Sequence, residues 1–166
     1  MTYELYSNPQ FHFAFERPEE WLVEETQSGY PFVVSLLGPK AEGGLHSGIA
    51  LQVYVGGVVE GPPGRQFDNT DDFTDDWING LRANQIEDIV ETQLTIDGLE
   101  ARRLSYSGTL PRELEVGGPL VLLRRDVAIF QKGTDIYVLD YMAEDSLYFQ
   151  YVAAFARALE SFRFVD

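Results

Sequence analysis

The chain contains no cysteine. That excludes a disulfide framework, a thiolate nucleophile and any cysteine-ligated metal centre. Histidine is nearly as scarce, with His12 and His46 the two imidazoles in 166 residues. Positive charge is also in short supply: 12 Lys and Arg stand against 27 Asp and Glu, a formal net charge of −15. A surface this negative repels phosphate backbones and anionic headgroups, because binding to either rests on Lys and Arg contacts that release counterions. The balance argues against nucleic acid and favours a protein partner with a basic surface. Long hydrophobic runs are missing too. None approaches the ~20 residues of a membrane span, so no membrane insertion is expected. The start, Met1-Thr2-Tyr3-Glu4-Leu5-Tyr6, lacks the basic and apolar regions of an export signal. A cytoplasmic protein is the expectation; an exported mature domain whose signal had been removed would begin in the same way.

What is present suits an ordinary core. Hydrophobic residues make up 45% and aromatics 13%, which excludes disorder outside loops and termini and predicts one domain over residues 1–166. The last third carries the clearest pattern. Asp135 to Ala143 reads as a strand, followed by a helix at about residues 145–160. Its apolar stripe is Tyr148, Tyr151, Val152, Phe155, Leu159 and Phe162, and its cap is Asp145 or Ser146. The tail, Phe162 and Phe164, should return to the core.

Earlier in the chain, Phe11, Phe13 and Phe15 alternate with His12 and Ala14, the pattern of a half-buried strand. Pro18-Glu19-Glu20 reads as a turn, Trp21 as a plug at the core edge, and Leu22 to Thr26 as a further strand. Phe32 to Leu37 is a strand stopped by Gly38-Pro39, Lys40 to Gly48 a loop, and Ile49 to Val55 a strand. Gly56 to Gly64, with four glycines and two prolines, reads as a mobile surface loop. Asp68 to Gln85 is a helix capped by Asn69 or Thr70, with Phe73, Trp77, Ile78 and Leu81 inward. Asp97-Gly98 joins strands over 86–96 and 99–106 as a hairpin, because these residue types tolerate positive φ. After a Gly108 to Pro119 link, Leu120 to Phe130 and Asp135 to Ala143 form a second hairpin around 131–134. Hairpins make antiparallel neighbours, so the fold class is α+β, an antiparallel sheet with packed helices. The expected core is Phe11, Phe13, Phe15, Trp21, Trp77, Leu81, Tyr151, Phe155, Leu159 and Phe162.

Several of these features together resemble the PsbP-like family of the Mog/PsbP superfamily. They are Tyr6 with Phe11-x-Phe13-x-Phe15-x-x-Pro18-x-x-Trp21, Gly38-Pro39 after a strand, the long helix, and the closing Ser161-Phe162-Arg163-Phe164. The resemblance runs over nearly the whole chain. It implies an α/β/α sandwich around a central antiparallel sheet, used as a non-enzymatic accessory or chaperone-like module. Relatives of this type include the extrinsic oxygen-evolution subunit of photosystem II, a Ran-binding nuclear import factor, and chaperones of bacterial secretion effectors. Unlike the photosystem subunit, this sequence shows neither a targeting peptide nor an N-terminal extension before its first strand signals. A fold hosts many functions, so the partner stays open.

Catalytic patterns are not found, and the expectation is that the chain is not an enzyme. His46-Ser47 lies in Gly43-Gly44-Leu45-His46-Ser47-Gly48, which is not G-x-S-x-G. Gly56 to Gly64 matches neither phosphate-binding glycine motif. No catalytic residue, cofactor or metal site is assigned. Asp68, Asp71, Asp72, Asp75 and Asp76 form the densest polar cluster. They suit either a helix start or a divalent cation, though the EF-hand spacing is absent. Arg102-Arg103 and Arg124-Arg125 lie on strands, so one arginine of each pair must meet a helix layer, in ion pairs or as an anion pocket. Tyr137, Tyr141, Tyr148 and Tyr151 could line a cavity between the last strand and helix. With the aspartates they support an alternative reading, a small-ligand or divalent-metal binder.

Overall fold

The computed structural model describes residues 1–26, 30–41, 44–61, 64–111 and 120–165, the side chains of 110 and 111 excepted. In chain order the elements are β1 (Tyr3–Asn8), β2 (Phe13–Pro18), β3 (Leu22–Glu25), β4 (Phe32–Lys40), β5 (His46–Tyr54), β6 (Val58–Val59), β7 (Arg65–Gln66), α1 (Thr70–Ala83), β8 (Val90–Ile96), β9 (Leu99–Pro111), β10 (Leu120–Lys132), β11 (Asp135–Glu144), α2 (Asp145–Ser161) and β12 (Arg163–Phe164). Seven strands form the central sheet in the order β3-β4-β5-β11-β10-β9-β8, every pairing antiparallel. A three-stranded sheet, β1-β2-β12, and the β6–β7 pair accompany it.

The two tight turns set the register. Asp97 and Gly98 both have positive φ, 47° and 77°, the pair that a two-residue hairpin turn requires. The second turn, Gly133-Thr134, places Gly133 at φ 61°. From there strand alternation divides the sheet into two faces. Tyr137, Leu139, Tyr141 and Ala143 of β11 pack with Leu51, Val53, Phe130 and the inner side of α2 (Ala154, Phe155, Ala158), together with Phe13 and Phe15 of the small sheet. Ile136 and Val138, on the opposite face, pack with Leu104, Val127 and Ile129 under Phe73 and Ile78 of α1. A helix thus covers each face of the antiparallel sheet, giving an α/β/α sandwich of the α+β class.

At the start of α1 the Asn69 side chain accepts the Asp72 amide at 2.8 Å. Asn69→Ala should lower the unfolding free energy by about 1 kcal/mol in urea titrations, while Thr70→Ala should have little effect through capping. Equal losses for the two would count against this cap.

The structure corrects several local expectations. The strand expected at 11–15 begins at Phe13; Phe11 and His12 lie in the preceding turn, His12 with φ 55°, and Phe11 is half-buried against the Phe32 ring. β1 lies before it, unforeseen because Glu4, Leu5 and Ser7 are exposed and the buried positions, Tyr6 and Asn8, include a polar residue. β4 does not stop at Gly38-Pro39 but runs to Lys40 through a register shift. Gly38 is needed there because a Cβ would meet the Trp21 ring at 2.6 Å. Neither Asp145 nor Ser146 caps α2: Glu144 holds the cap position and makes no side-chain cap bond, its Oε2 accepting the Leu45 amide instead. Trp77, Leu81 and Tyr151 are half-buried, whereas Thr74, Ala154 and Ala158, small enough for close packing, are buried. Val55 leaves β5 and is exposed, and the 56–64 loop contains β6, whose partner is β7. β9 continues through Gly108 to Pro111; the rest of the expected link, 112–119, lies outside the described residues.

Candidate functional site

β10 is the strand that assembles the site. Its neighbour β11 ends at Glu144, opposite Leu123, while β8 begins only at Val90, opposite Ser105. The β9–β10 pair therefore projects beyond both neighbours as a two-stranded arm that carries Ser107 to Pro111 and Leu120 to Leu122. At its base a cleft of about 140 Å³ is lined by Val90, Ser105, Tyr106, Ser107, Arg124, Arg125, Tyr148 and Asp88.

Alternation sends the two adjacent arginines to opposite faces. Arg124 lies on the α2 side, its guanidinium 4.5 Å from the Tyr148 ring centre, 4.9 Å from that of Phe149 and 3.9 Å from Asp145. Arg125 lies on the α1 side, donates to Asp140 at 3.2 Å and sits 5.8 Å from the Trp77 ring centre. Asp140 is buried in the sheet, and burial raises its pKa against the opposing pull of Arg125. Burial works the other way on the guanidinium, but Asp140 and Tyr106 more than offset it and hold Arg125 firmly protonated. Asp126, fully buried on the α2 side, accepts the Ser105 and Tyr148 hydroxyls and lies 3.4 Å from Arg103. Burial first, and Asp126 second, push the Tyr148 phenol up to about 12. These buried carboxylates are held by hydroxyls and guanidinium groups, which fixes the strands around the cleft.

The surface of this corner is apolar. Val90, Leu120, Leu122 and Phe149 are 62%, 69%, 45% and 72% exposed. Leu120 and Leu122 share the α2 face with Arg124, whose guanidinium reaches Phe149, while Val90 and Arg124 line the same cleft.

Both arginine pairs meet helices on the two faces, more than the sequence required. Arg102 is bound by Asp71 at 3.2 Å, Asp75 at 3.5 Å and Glu91, and Arg103 lies 5.6 Å from the Phe155 ring centre as well as beside Asp126. The aspartate cluster is dispersed: Asp71 and Asp75 face Arg102, Asp76 binds Arg65, Asp72 pairs with the Asn69 cap, and the Asp68 carbonyl accepts from Gln131. Among the described residues no three His, Asp or Glu side chains are grouped to hold a metal ion. His46 is exposed, with Nδ1 2.7 Å from the Gly38 carbonyl, and the adjacent Ser47 is buried. His12 borders a cavity of about 510 Å³ with Phe11, Tyr137, Phe164, Lys132, Asp97 and Asp135. The four tyrosines do not share a cavity: Tyr137 borders that one, Tyr148 the arm cleft, and Tyr151 a third beside Trp21, while Tyr141 is closed in the core. The sequence reading missed Val90, Leu120, Leu122 and Phe149, because alternation with Val121 and Leu123 looks the same whether or not a neighbouring strand continues.

No helix among the described residues is long and apolar enough to cross a membrane. No family model matches the sequence, and no curated protein matches it. Solved structures do match. Cyanobacterial PsbP (CyanoP) from Synechocystis sp. PCC 6803 superposes with a TM-score of 0.61 at 13% identity, over 98% of this chain and 92% of its own. A protein of unknown function from Pseudomonas aeruginosa matches with a TM-score of 0.53 at 13% identity, over 96% of this chain and 95% of its own. A Bacteroides thetaiotaomicron protein matches with a TM-score of 0.54 at 11% identity, over 100% of this chain but 50% of its own. Likeness at these identities is likeness of architecture. The α/β/α sandwich built on β3-β4-β5-β11-β10-β9-β8 is a PsbP-like fold.

Proposed function

We propose that this protein is a non-enzymatic accessory or chaperone-like module that binds another protein through the corner made by the β9–β10 arm, Val90 and the start of α2. The observation that carries this reading is the grouping there of four of the eight large hydrophobic side chains exposed among the described residues. Single exposed apolar residues are ordinary, whereas a contiguous group with aromatic and arginine members has the composition of an interaction surface. The net charge of −15 steers a basic partner toward the chain and makes association faster at low salt.

The test uses a Leu122→Asp/Phe149→Asp double variant. Both side chains are exposed, so the melting temperature should stay within a few degrees. Affinity for a partner first captured from source-cell extract, then purified, should fall at least about tenfold, equivalent to ~1.4 kcal/mol. Unchanged affinity in a folded variant would remove this corner from the interaction.

A small ligand is the second reading, supported by the cavity of about 510 Å³ with Phe11, Tyr137 and Phe164 beside His12 and Lys132. Native mass spectrometry of the purified protein distinguishes the two: a co-purifying small mass, displaced by Phe164→Trp, favours the ligand.

A further inference from the structure

We infer that the outer edge of β9 at Ser107 and Thr109 accepts an extended segment of a partner as an additional antiparallel strand, apolar on one face and basic on the other. This rests on the protein-binding reading above and specifies its mode. The register decides which groups are free. In a two-residue hairpin the flanking residues exchange both backbone bonds, so Ile96 pairs with Leu99 and the bonded set on β9 toward β8 is Leu99, Ala101, Arg103 and Ser105. The same rule at Lys132 and Asp135 directs Leu123 and Arg125 toward β9, where they bond Gly108 and Tyr106. Ser107 and Thr109 therefore aim N–H and C=O outward, beyond the first residue of β8, and no strand pairs with them there among the described residues.

Free edges normally carry charge or another device that blocks pairing. β3 carries Glu24 and Glu25, both exposed, and β8 carries Glu91 bound to Arg102. The β9 step has no charged residue from Ser105 to Thr109, and Ser107 and Thr109 are themselves exposed.

The neighbouring chemistry selects the occupant. On the α2 face Ser107 and Thr109 lie opposite Arg124 and Leu122, so the small hydroxyl side chains leave a lane from the edge to Leu122. On the α1 face Ile86 packs beside Gly108, and the segment continues through the exposed Glu87 and Asp88. An added strand would meet Leu122 beside Arg124 on its α2-facing side, and Ile86 with the neighbouring exposed carboxylates of Glu87 and Asp88 where the 86–88 segment passes the edge. Main-chain bonds then supply affinity, and the alternating side chains specificity.

The probe is a blocked decapeptide of alternating valine and lysine, added to the full chain and followed by NMR hydrogen exchange. Exchange of the Ser107 and Thr109 amides should slow at least about tenfold at saturation, while the Tyr106 and Gly108 amides, already bonded to β10, change little. Because residues opposite Ser107 and Thr109 share their face, N-methylation of the valines should weaken binding at least about tenfold more than N-methylation of the lysines. No slowing at Ser107 and Thr109 with millimolar peptide would overturn strand addition, as would equal effects of the two methylated peptides. If the Leu122→Asp/Phe149→Asp variant still loses the natural partner, the corner reading survives that failure; if it does not, the corner reading falls as well.

Discussion

Arg125→Met is expected to lower the unfolding free energy at pH 7 by about 3 kcal/mol. Removing one member of a buried ion pair typically costs ~3–5 kcal/mol, because the other charge is left without its partner. The low end applies because the Arg125 side chain is 32% exposed and water can approach its place, whereas that of Asp140 is 7% exposed. The effect should depend on pH in a definite direction. Burial raises the folded-state pKa of Asp140, with Arg125 opposing. The folded chain therefore keeps this proton at pH values where the unfolded chain, with a carboxyl near ~3.9, has released it. Stability from this group is fully present below the unfolded pKa and is lost as pH rises through the folded one. Removing Arg125 raises the folded pKa further, so the penalty of Arg125→Met should shrink steadily as pH falls from 7 toward 4. Adding Asp140→Asn to Arg125→Met should recover much of the loss at pH 7 and flatten the pH dependence. Urea titrations of the three variants over that range provide the measurement, and a penalty independent of both pH and the second substitution would sink the buried-pair account.

The second large effect is at the core of the opposite face. Phe155→Ala should destabilise by about 3–5 kcal/mol, through lost transfer energy plus the cavity left behind. Phe155 is fully buried, its ring stacked 5.8 Å from Tyr141 and covered by the Arg103 guanidinium. For a chain of this length the melting temperature should fall by roughly 10 °C. Phe149→Ala, earlier on the same helix but exposed, is the control and should change stability by less than about 0.5 kcal/mol. A comparable loss at both positions would show that α2 does not bury the face described here.

The contrast between Phe155 and Phe149 shows where sequence reasoning succeeds and where it stops. Period and turn chemistry are local, and they were sufficient for α2, for α1 with a cap at Asn69 or Thr70, of which the structure uses Asn69, and for the hairpin at Asp97-Gly98, whose two positive φ values require such residues. Those hairpins in turn imposed an antiparallel sheet, and adjacent arginines on strands had to face opposite layers. The tertiary structure decided what lay between distant segments. Phe11 alternates perfectly with Phe13 yet belongs to a turn, in which its amide donates to the Asn8 side chain and His12 takes a positive φ. β4 resumes pairing at Lys40 after a register shift at Gly38-Pro39, where Trp21 fills the space a side chain at 38 would need. Asp140 reads as one acid among 27 until the fold buries it beside Arg125. Leu120 and Leu122 have the alternation of ordinary strand residues; they become an exposed surface because β11 ends at Glu144 and turns into α2. Hydrophobic period reports which residues share a face, but whether that face is covered depends on where the neighbouring strands and helices end, which is a property of the packed chain.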